Sequence, residues 1–183
     1  MLVLGIDPGT ANTGYGVVRG THGGVPLLVE CGVIRTRARD PLPARLREIH
    51  EGVAELIDRH RPDAMSVEDV FYSRNVRTTV VLGHARGVIL LAAEQRGVPV
   101  NELAPAEIKK AVVGTGGATK EQVQFMLTRL LRLKSVPQPS DAADGVAAAL
   151  ACIMSASIPR MAGGRVREPS RAIATLPPRI RQP

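Results

Sequence analysis

The chain has 183 residues and is 44% hydrophobic, which fits one globular domain with a sizeable core. Aromatic residues are only 2% (no Trp, two Phe, two Tyr), so that core must be aliphatic. A net charge of +7 favours an anionic partner, nucleic acid first; six Arg and one Glu put +5 of it in residues 159–183, leaving +2 for the rest.

In chain order, "MLVLGID" is a short aliphatic run of the kind expected of a buried strand, and "PGTANTG" is a turn with Pro8-Gly9 at its centre. "YGVVRG" and "VPLLVECGVIRT" read as two further strands joined by the Gly-rich "THGG". Leu42, Leu46, Ile49, Val53, Leu56 and Ile57 follow helical spacing, which predicts an amphipathic helix over 42–60. "DAMSVEDVF" is a fourth strand, 76–96 a long helix, and "VPVNEL" a short fifth strand. Three helices follow, near 105–113, 119–133 and 141–157; Thr119 and Gln122 have the spacing of a capping box. The order predicts one α/β domain with a five-stranded mixed sheet flanked by helices. From 158 to 183 Pro, Gly and Arg dominate and apolar periodicity vanishes, so the domain is expected to span 1–157 and to be followed by a flexible basic tail.

No apolar run approaches the roughly 18 residues of a membrane helix. "MLVLGI" has no basic segment before it, as a signal peptide would. Cys31 and Cys152 lie far apart with no metal or redox spacing, and read as two buried thiols. The expectation is a cytoplasmic protein with no membrane contact.

Acidic residues carry the chemistry. Asp7 ends the first strand and Glu68 lies near the end of the fourth. If those strands are parallel neighbours, both carboxylates emerge at one sheet edge, where α/β sheets keep their sites. Alternation puts Ser66, Glu68 and Val70 on one face and Val67 and Asp69 on the other, so only one of the adjacent acids Glu68 and Asp69 can face Asp7. "SDAADGVAAALA" adds Asp141 and Asp144, three residues apart on one helical face. Singly, each acid has an ordinary explanation: turn chemistry for Asp7, and for Asp141 the helix dipole after Ser140 as N-cap. Together they are less easily explained, because Asp144 is followed by small and apolar residues and an acid there needs a cation. Clustered oxygen ligands without His or Cys favour Mg²⁺ or Mn²⁺. Four carboxylates can hold two ions about 3.5–4 Å apart, the arrangement that clamps attacking and leaving oxygens in phosphodiester hydrolysis.

"GIDPGTANTGYGVV", "VEDVFYSRN", "LGHARGVILLAA", "KKAVVGTGGATKEQVQ" and "DAADGVAAALA", in this order, resemble the RuvC family of Holliday junction resolvases from residue 1 to about 157. The resemblance implies a ribonuclease H-like fold and a homodimer that cuts a four-way DNA junction with paired symmetric nicks, leaving 5'-phosphate and 3'-hydroxyl ends. It implies Mg²⁺, with Mn²⁺ as substitute, two ions per subunit, and cooperation with a RuvA–RuvB branch-migration complex. The family's four catalytic, metal-holding carboxylates fall on Asp7, Glu68, Asp141 and Asp144, which decides between Glu68 and Asp69. Phe71 matches the family aromatic that stacks on an unpaired base near the junction centre, a contact worth about 1–3 kcal/mol. Lys109 and Lys120 match family lysines near the acids and the DNA backbone. Lys120 also sits just after its helix N-cap, where an exposed cation is disfavoured unless it faces a phosphate. Arg74, Arg77 and Lys110 are weaker DNA-contact candidates. The family dimer forms through the helix containing "LGHARGVILLAA", which is apolar on more than one face; His84 on it reads as structural. No family counterpart is placed for the stretch after 158.

Two other functions compete. "GIDPGTANTG" also resembles the phosphate-binding hairpin of actin-like ATPases and sugar kinases, which need two such domains and a second Gly-rich loop that this chain lacks. A non-catalytic junction-binding protein of the same fold is opposed by the presence of all four acids.

Overall fold

The computed structural model describes residues 1–21, 23–69 and 76–157, the side chains of 156 and 157 excepted. Strands β1 (Leu2–Asp7), β2 (Asn12–Arg19) and β3 (Leu27–Arg35) come first. Then follow helix α1 (Leu42–His60), strand β4 (Ala64–Glu68), helix α2 (Val76–Glu94) and strand β5 (Val100–Leu103). Helices α3 (Pro105–Val113), α4 (Lys120–Leu130) and α5 (Ser140–Ser157) close the described part. The strands form one five-stranded mixed sheet in the order β3-β2-β1-β4-β5, antiparallel across β3-β2-β1 and parallel across β1-β4-β5.

Strand alternation builds two cores. Leu4, Ile6, Met65 and Val67 pack against Ile49, Val53, Leu56 and Ile57 of α1 and Ala85, Ile89, Ala92 and Ala93 of α2. On the other face Val3 and Val18 meet α3, α4 and the alanine-rich α5. Both cores are aliphatic; Phe125 is exposed on α4. Alanines let α5 lie close to the sheet, and glycines bring it closer still. A Cβ on Gly145 of α5 would lie 2.6 Å from the Tyr15 Cα, and one on Gly14 would collide with the Asp141 carbonyl oxygen. Larger residues at these points would push the helix off the strands.

The capping box of α4 forms: Gln122 N–H donates to Thr119 Oγ1 at 3.3 Å, and Thr119 N–H donates to Gln122 Oε1 at 2.8 Å. Some boundaries differ from expectation. β2 begins at Asn12, inside the stretch that reads as a turn, because Asn12 and Thr13 pair with Arg35 and Ile34 of β3, and Gly14 with both Asp7 and Val33. Thr13 is fully buried and satisfied by donating to the Gly9 carbonyl at 2.7 Å, so its polarity is misleading. α4 stops at Leu130, with Arg132 in the left-handed region at φ 50°. Cys152 is buried but Cys31 is only half-buried; β3 is the edge strand beyond β2 and is largely half-exposed.

α2 needs a correction of its own. It is 19 residues long and apolar enough, by length and composition, to cross a membrane, contrary to the expectation from apolar runs. One stripe of it belongs to the core with α1, whereas Val76, Val80 and Leu91 are 76%, 53% and 48% exposed. Of the more than one apolar face read from the sequence, one is therefore packed and another is exposed in a single chain. The proposed 158–183 tail lies outside the described residues.

Candidate active site

β1 and β4 are parallel neighbours in a register that pairs Ile6 with Val67, so Asp7 and Glu68 leave the sheet side by side at its carboxyl edge. Alternation turns both toward α5: Gly5, two residues before Asp7, abuts α5, and Ser66, two before Glu68, pairs with Gly5. The close seat of α5 on Gly14 and Tyr15 then sets the first turn of that helix over Asp7. Ligand oxygens of Asp7, Asp141 and Asp144 lie within 4.8 Å of one another. Glu68 is outside this tight group but lines the same cleft of about 300 Å³ with Asp7, Asp144, Lys109 and Lys120. Ile108, Val123 and Ala147 form apolar wall.

The electrostatics record crowding. Burial first, then the charges of Glu68, Asp144 and Asp141, push the Asp7 carboxyl up to about 8, against a smaller opposing effect of Lys120. Glu68 is also raised, by burial and by Asp144, with Lys109 and Lys120 opposing. Lys120 Nζ donates to Asp144 Oδ2 at 2.6 Å. Burial alone would lower the lysine, but this bond and the surrounding acids outweigh it and raise it. Lys120 thus sits beside a carboxylate within the cleft. Acids brought this close, with so little cationic compensation, suit a hard divalent cation.

The other candidates are spread out. Lys109 lines the cleft, whereas Lys110, one residue on, faces a separate cavity of about 600 Å³ with Glu107, Ile153 and Met154. That cavity is larger than the acidic cleft but none of the four acids lines it. Arg77 and His84 are exposed on α2, Arg77 beside Thr10 in a small hollow. Phe71 and Arg74 lie outside the described residues. Two arginines near the site carry no signal in the sequence. Arg45 of α1 donates from Nε to Thr36 Oγ1 at 3.0 Å and from Nη2 to the Thr10 carbonyl at 2.5 Å, bracing the turn that follows Asp7. Arg86 of α2 pairs with Asp69 and Glu102. Position on a strand separates Asp69 from Glu68, but no local pattern marks an arginine that meets its partners only through tertiary packing.

A mixed five-stranded sheet with carboxylates at the ends of two adjacent parallel strands, joined by acids from the first two turns of a crossing helix, defines the ribonuclease H-like class. The chain belongs to the family of the crossover junction endodeoxyribonuclease RuvC, whose model matches residues 3–152. A relative of that name from Brevibacillus brevis is 50% identical over 150 residues, 82% of this chain and 90% of the relative. One from Parafrankia sp. is 47% identical over 172 residues, 94% of this chain and 96% of the relative. That match leaves only 11 of 183 residues uncovered, so it extends beyond 158, where the motifs of the sequence suggest no counterpart. Among solved structures, Thermus thermophilus RuvC in complex with Holliday junction substrate has a TM-score of 0.81 and 38% identity over 85% of this chain and 94% of that one. The yeast mitochondrial Holliday junction resolvase Ydc2, at TM-score 0.61 and 15% identity over 83% of this chain and 78% of that one, shares the fold.

Proposed function

We propose that this chain resolves four-way DNA junctions by paired symmetric nicks, hydrolysing phosphodiesters with divalent metal ions to leave 5'-phosphate and 3'-hydroxyl ends. The observation that carries the proposal is the convergence of Asp7, Asp141 and Asp144 within 4.8 Å, with Asp7 and Asp144 lining one cleft with Glu68. These four residues are its catalytic acids and would hold two Mg²⁺ ions, or Mn²⁺ in their place. Such ions supply Lewis-acid stabilisation of the leaving oxygen and a water acidified enough to attack.

The chain's own groups do the rest. The Asp7, Asp141, Asp144 and Glu68 carboxylates fix where the scissile phosphate must lie. Lys120, paired with Asp144 at the cleft, and Lys109 would offer charge to the DNA backbone. The apolar wall of Ile108, Val123 and Ala147 limits water. Phe71 stacks on a displaced base, with Arg74 and Arg77 contacting the backbone nearby. Two equivalent nicks need two equivalent cleft copies, and the outward apolar residues Val76, Val80 and Leu91 of α2 supply a face for a second chain. Residues 158–183 add unspecific affinity as a basic tail. The setting is the cytoplasm, together with a RuvA–RuvB branch-migration complex.

The decisive experiment incubates the purified protein with a synthetic mobile four-way junction and Mg²⁺ and sizes the products on every strand. Paired nicks at symmetric positions, absent on linear duplex and in EDTA, are expected. Failure to cut the junction faster than duplex overturns the proposal. Phe71→Ala should slow cleavage more than it weakens binding; equal loss of fold and activity would make Phe71 a core residue.

A further inference from the structure

β4 ends on Glu68, and the acid that follows it, Asp69, serves the opposite face of the sheet. Glu68 faces the cleft. Asp69 turns to the α2 side, where Arg86 Nη2 meets its Oδ1 at 3.2 Å. The same nitrogen contacts Glu102 Oε2 of β5. The Asp69 N–H donates to the Leu103 carbonyl at 2.8 Å, so the β4–β5 ladder continues through the residue bonded to Glu68. One guanidinium on α2 therefore holds the carboxyl ends of two adjacent strands. Arg86 Nε is buried and finds no partner among the described residues.

We propose that Arg86 is a positioning residue for the acidic cleft. It fixes the β4 terminus through Asp69 and Glu102, thereby aims Glu68, and ties that aim to the helix assigned to the dimer; this rests on the junction-resolving reading above. Without it, Asp69 and Glu102 are two carboxylates facing each other, and the simplest relief is movement of the strand end that carries Glu68. A shift of about 1 Å in a reacting constellation costs on the order of 100-fold in rate. Junction affinity, set by phosphate contacts elsewhere, has no reason to follow.

Full-length Arg86→Gln, Arg86→Lys and Asp69→Asn are compared with the parent protein. The measurements are single-turnover junction cleavage in Mg²⁺, junction affinity in EDTA, Mn²⁺ affinity of the DNA-free protein by electron paramagnetic resonance, and melting temperature. Arg86→Gln should slow cleavage about 10- to 100-fold, weaken Mn²⁺ binding severalfold and leave junction affinity within about twofold. Arg86→Lys, which keeps the charge, should recover much of both losses. If Arg86→Gln does not fold, Asp69→Asn gives the same readings with Arg86 still held by Glu102. Variants that melt lower yet bind Mn²⁺ and cleave as the parent does, per folded molecule, make Arg86 an ordinary ion pair and overturn the proposal. A parent protein that binds Mn²⁺ but cuts no junction defeats the functional reading instead, and Mn²⁺ affinity still judges Arg86.

Discussion

Charged side chains gather on both faces of this sheet, and their balance is opposite. On the α5 face, Asp7, Glu68, Asp141 and Asp144 face little cationic charge beyond Lys109 and Lys120, and the Asp7 and Glu68 carboxyls are driven up. On the α1 face, Glu30 of β3 accepts from Tyr15 Oη at 2.9 Å and Arg59 Nη2 at 3.0 Å and contacts His60 Nε2 at 2.8 Å. Burial pushes Glu30 upward, but Tyr15, His60 and Arg59 outweigh it and hold it below the usual carboxylate range. Tyr15 is raised to about 12 by burial and by the same bond. The Glu30 group is complete and staples α1 to the sheet. The Asp7 group is deficient in positive charge, a balance that suits a hard divalent cation.

The sharpest way to break this contrast is to remove one acid. Asp7→Asn, Glu68→Gln, Asp141→Asn or Asp144→Asn should each cut junction cleavage by about 100- to 1000-fold or more, while junction binding survives on phosphate contacts. A variant that resolves junctions at the parent rate takes its residue out of the site. Stability should move the other way. Between about pH 4 and 8 the folded Asp7 holds a proton that the unfolded chain has released, so in EDTA this group's contribution falls as pH rises through that window. Asp7→Asn should therefore raise the melting temperature in EDTA, more at pH 8 than at pH 5. An unchanged or lower value at pH 8 would mean that the cluster is not crowded.

A second, smaller break leaves the acids in place and moves their support. Gly145→Ala drives a methyl group against the Tyr15 backbone, and Gly14→Ala drives one against the Asp141 carbonyl. Each should lift the first turn of α5, lower stability by about 1–3 kcal/mol and slow cleavage about 100-fold. Full activity in either would show that the close seat of α5 does not position Asp141 and Asp144.

How far the sequence carries depends on the range of the interaction. Strand alternation alone puts Glu68 and Asp69 on opposite faces, and helical spacing puts Asp141 and Asp144 together, because both are local geometry. The family resemblance supplied the choice of Glu68, which alternation left open. Thr13 misled, since its buried hydroxyl is satisfied by the Gly9 carbonyl and a polar residue in a Gly-rich stretch otherwise reads as turn. Arg45, Arg86 and the Glu30 group were illegible: their partners lie 9 to 35, 16 to 17 and 15 to 30 residues away in the chain, beyond any local period. The two-sided apolarity of α2 was legible, but its outer face is bare in a single chain.

Deleting 159–183 asks whether the charge imbalance of the cleft is offset from a distance. It removes +5 from a molecule whose remainder carries +2. Affinity for all DNA shapes should drop about tenfold, and the log–log salt slope should flatten by up to about 0.9 for each phosphate the tail no longer neutralises. Preference for junctions over duplex should persist if, as proposed, it belongs to the arrangement of two clefts. Loss of that preference with duplex affinity intact would make the tail a recognition element, and unfolding would show that it packs on the domain.

The smallest effect belongs to the complete cluster. Glu30→Gln keeps the shape of the side chain and removes the charge that Arg59 and His60 meet. A carboxyl held below its unfolded value stabilises the fold fully above about pH 4.5 and loses that contribution as pH falls through the folded value. Glu30 is about one-third exposed, so solvent screening limits the loss at pH 7 to about 1 kcal/mol. For a chain of this size that is about 2–4 °C in melting temperature. The difference between parent and variant should vanish once pH falls below the folded value. Junction cleavage per folded molecule should not change, because Glu30 stands on the face of the sheet away from the acids. A cleavage defect without a melting shift would mean that the Tyr15 backbone, pressed against Gly145, transmits the state of one cluster to the other, and the two faces would then have to be treated as one device.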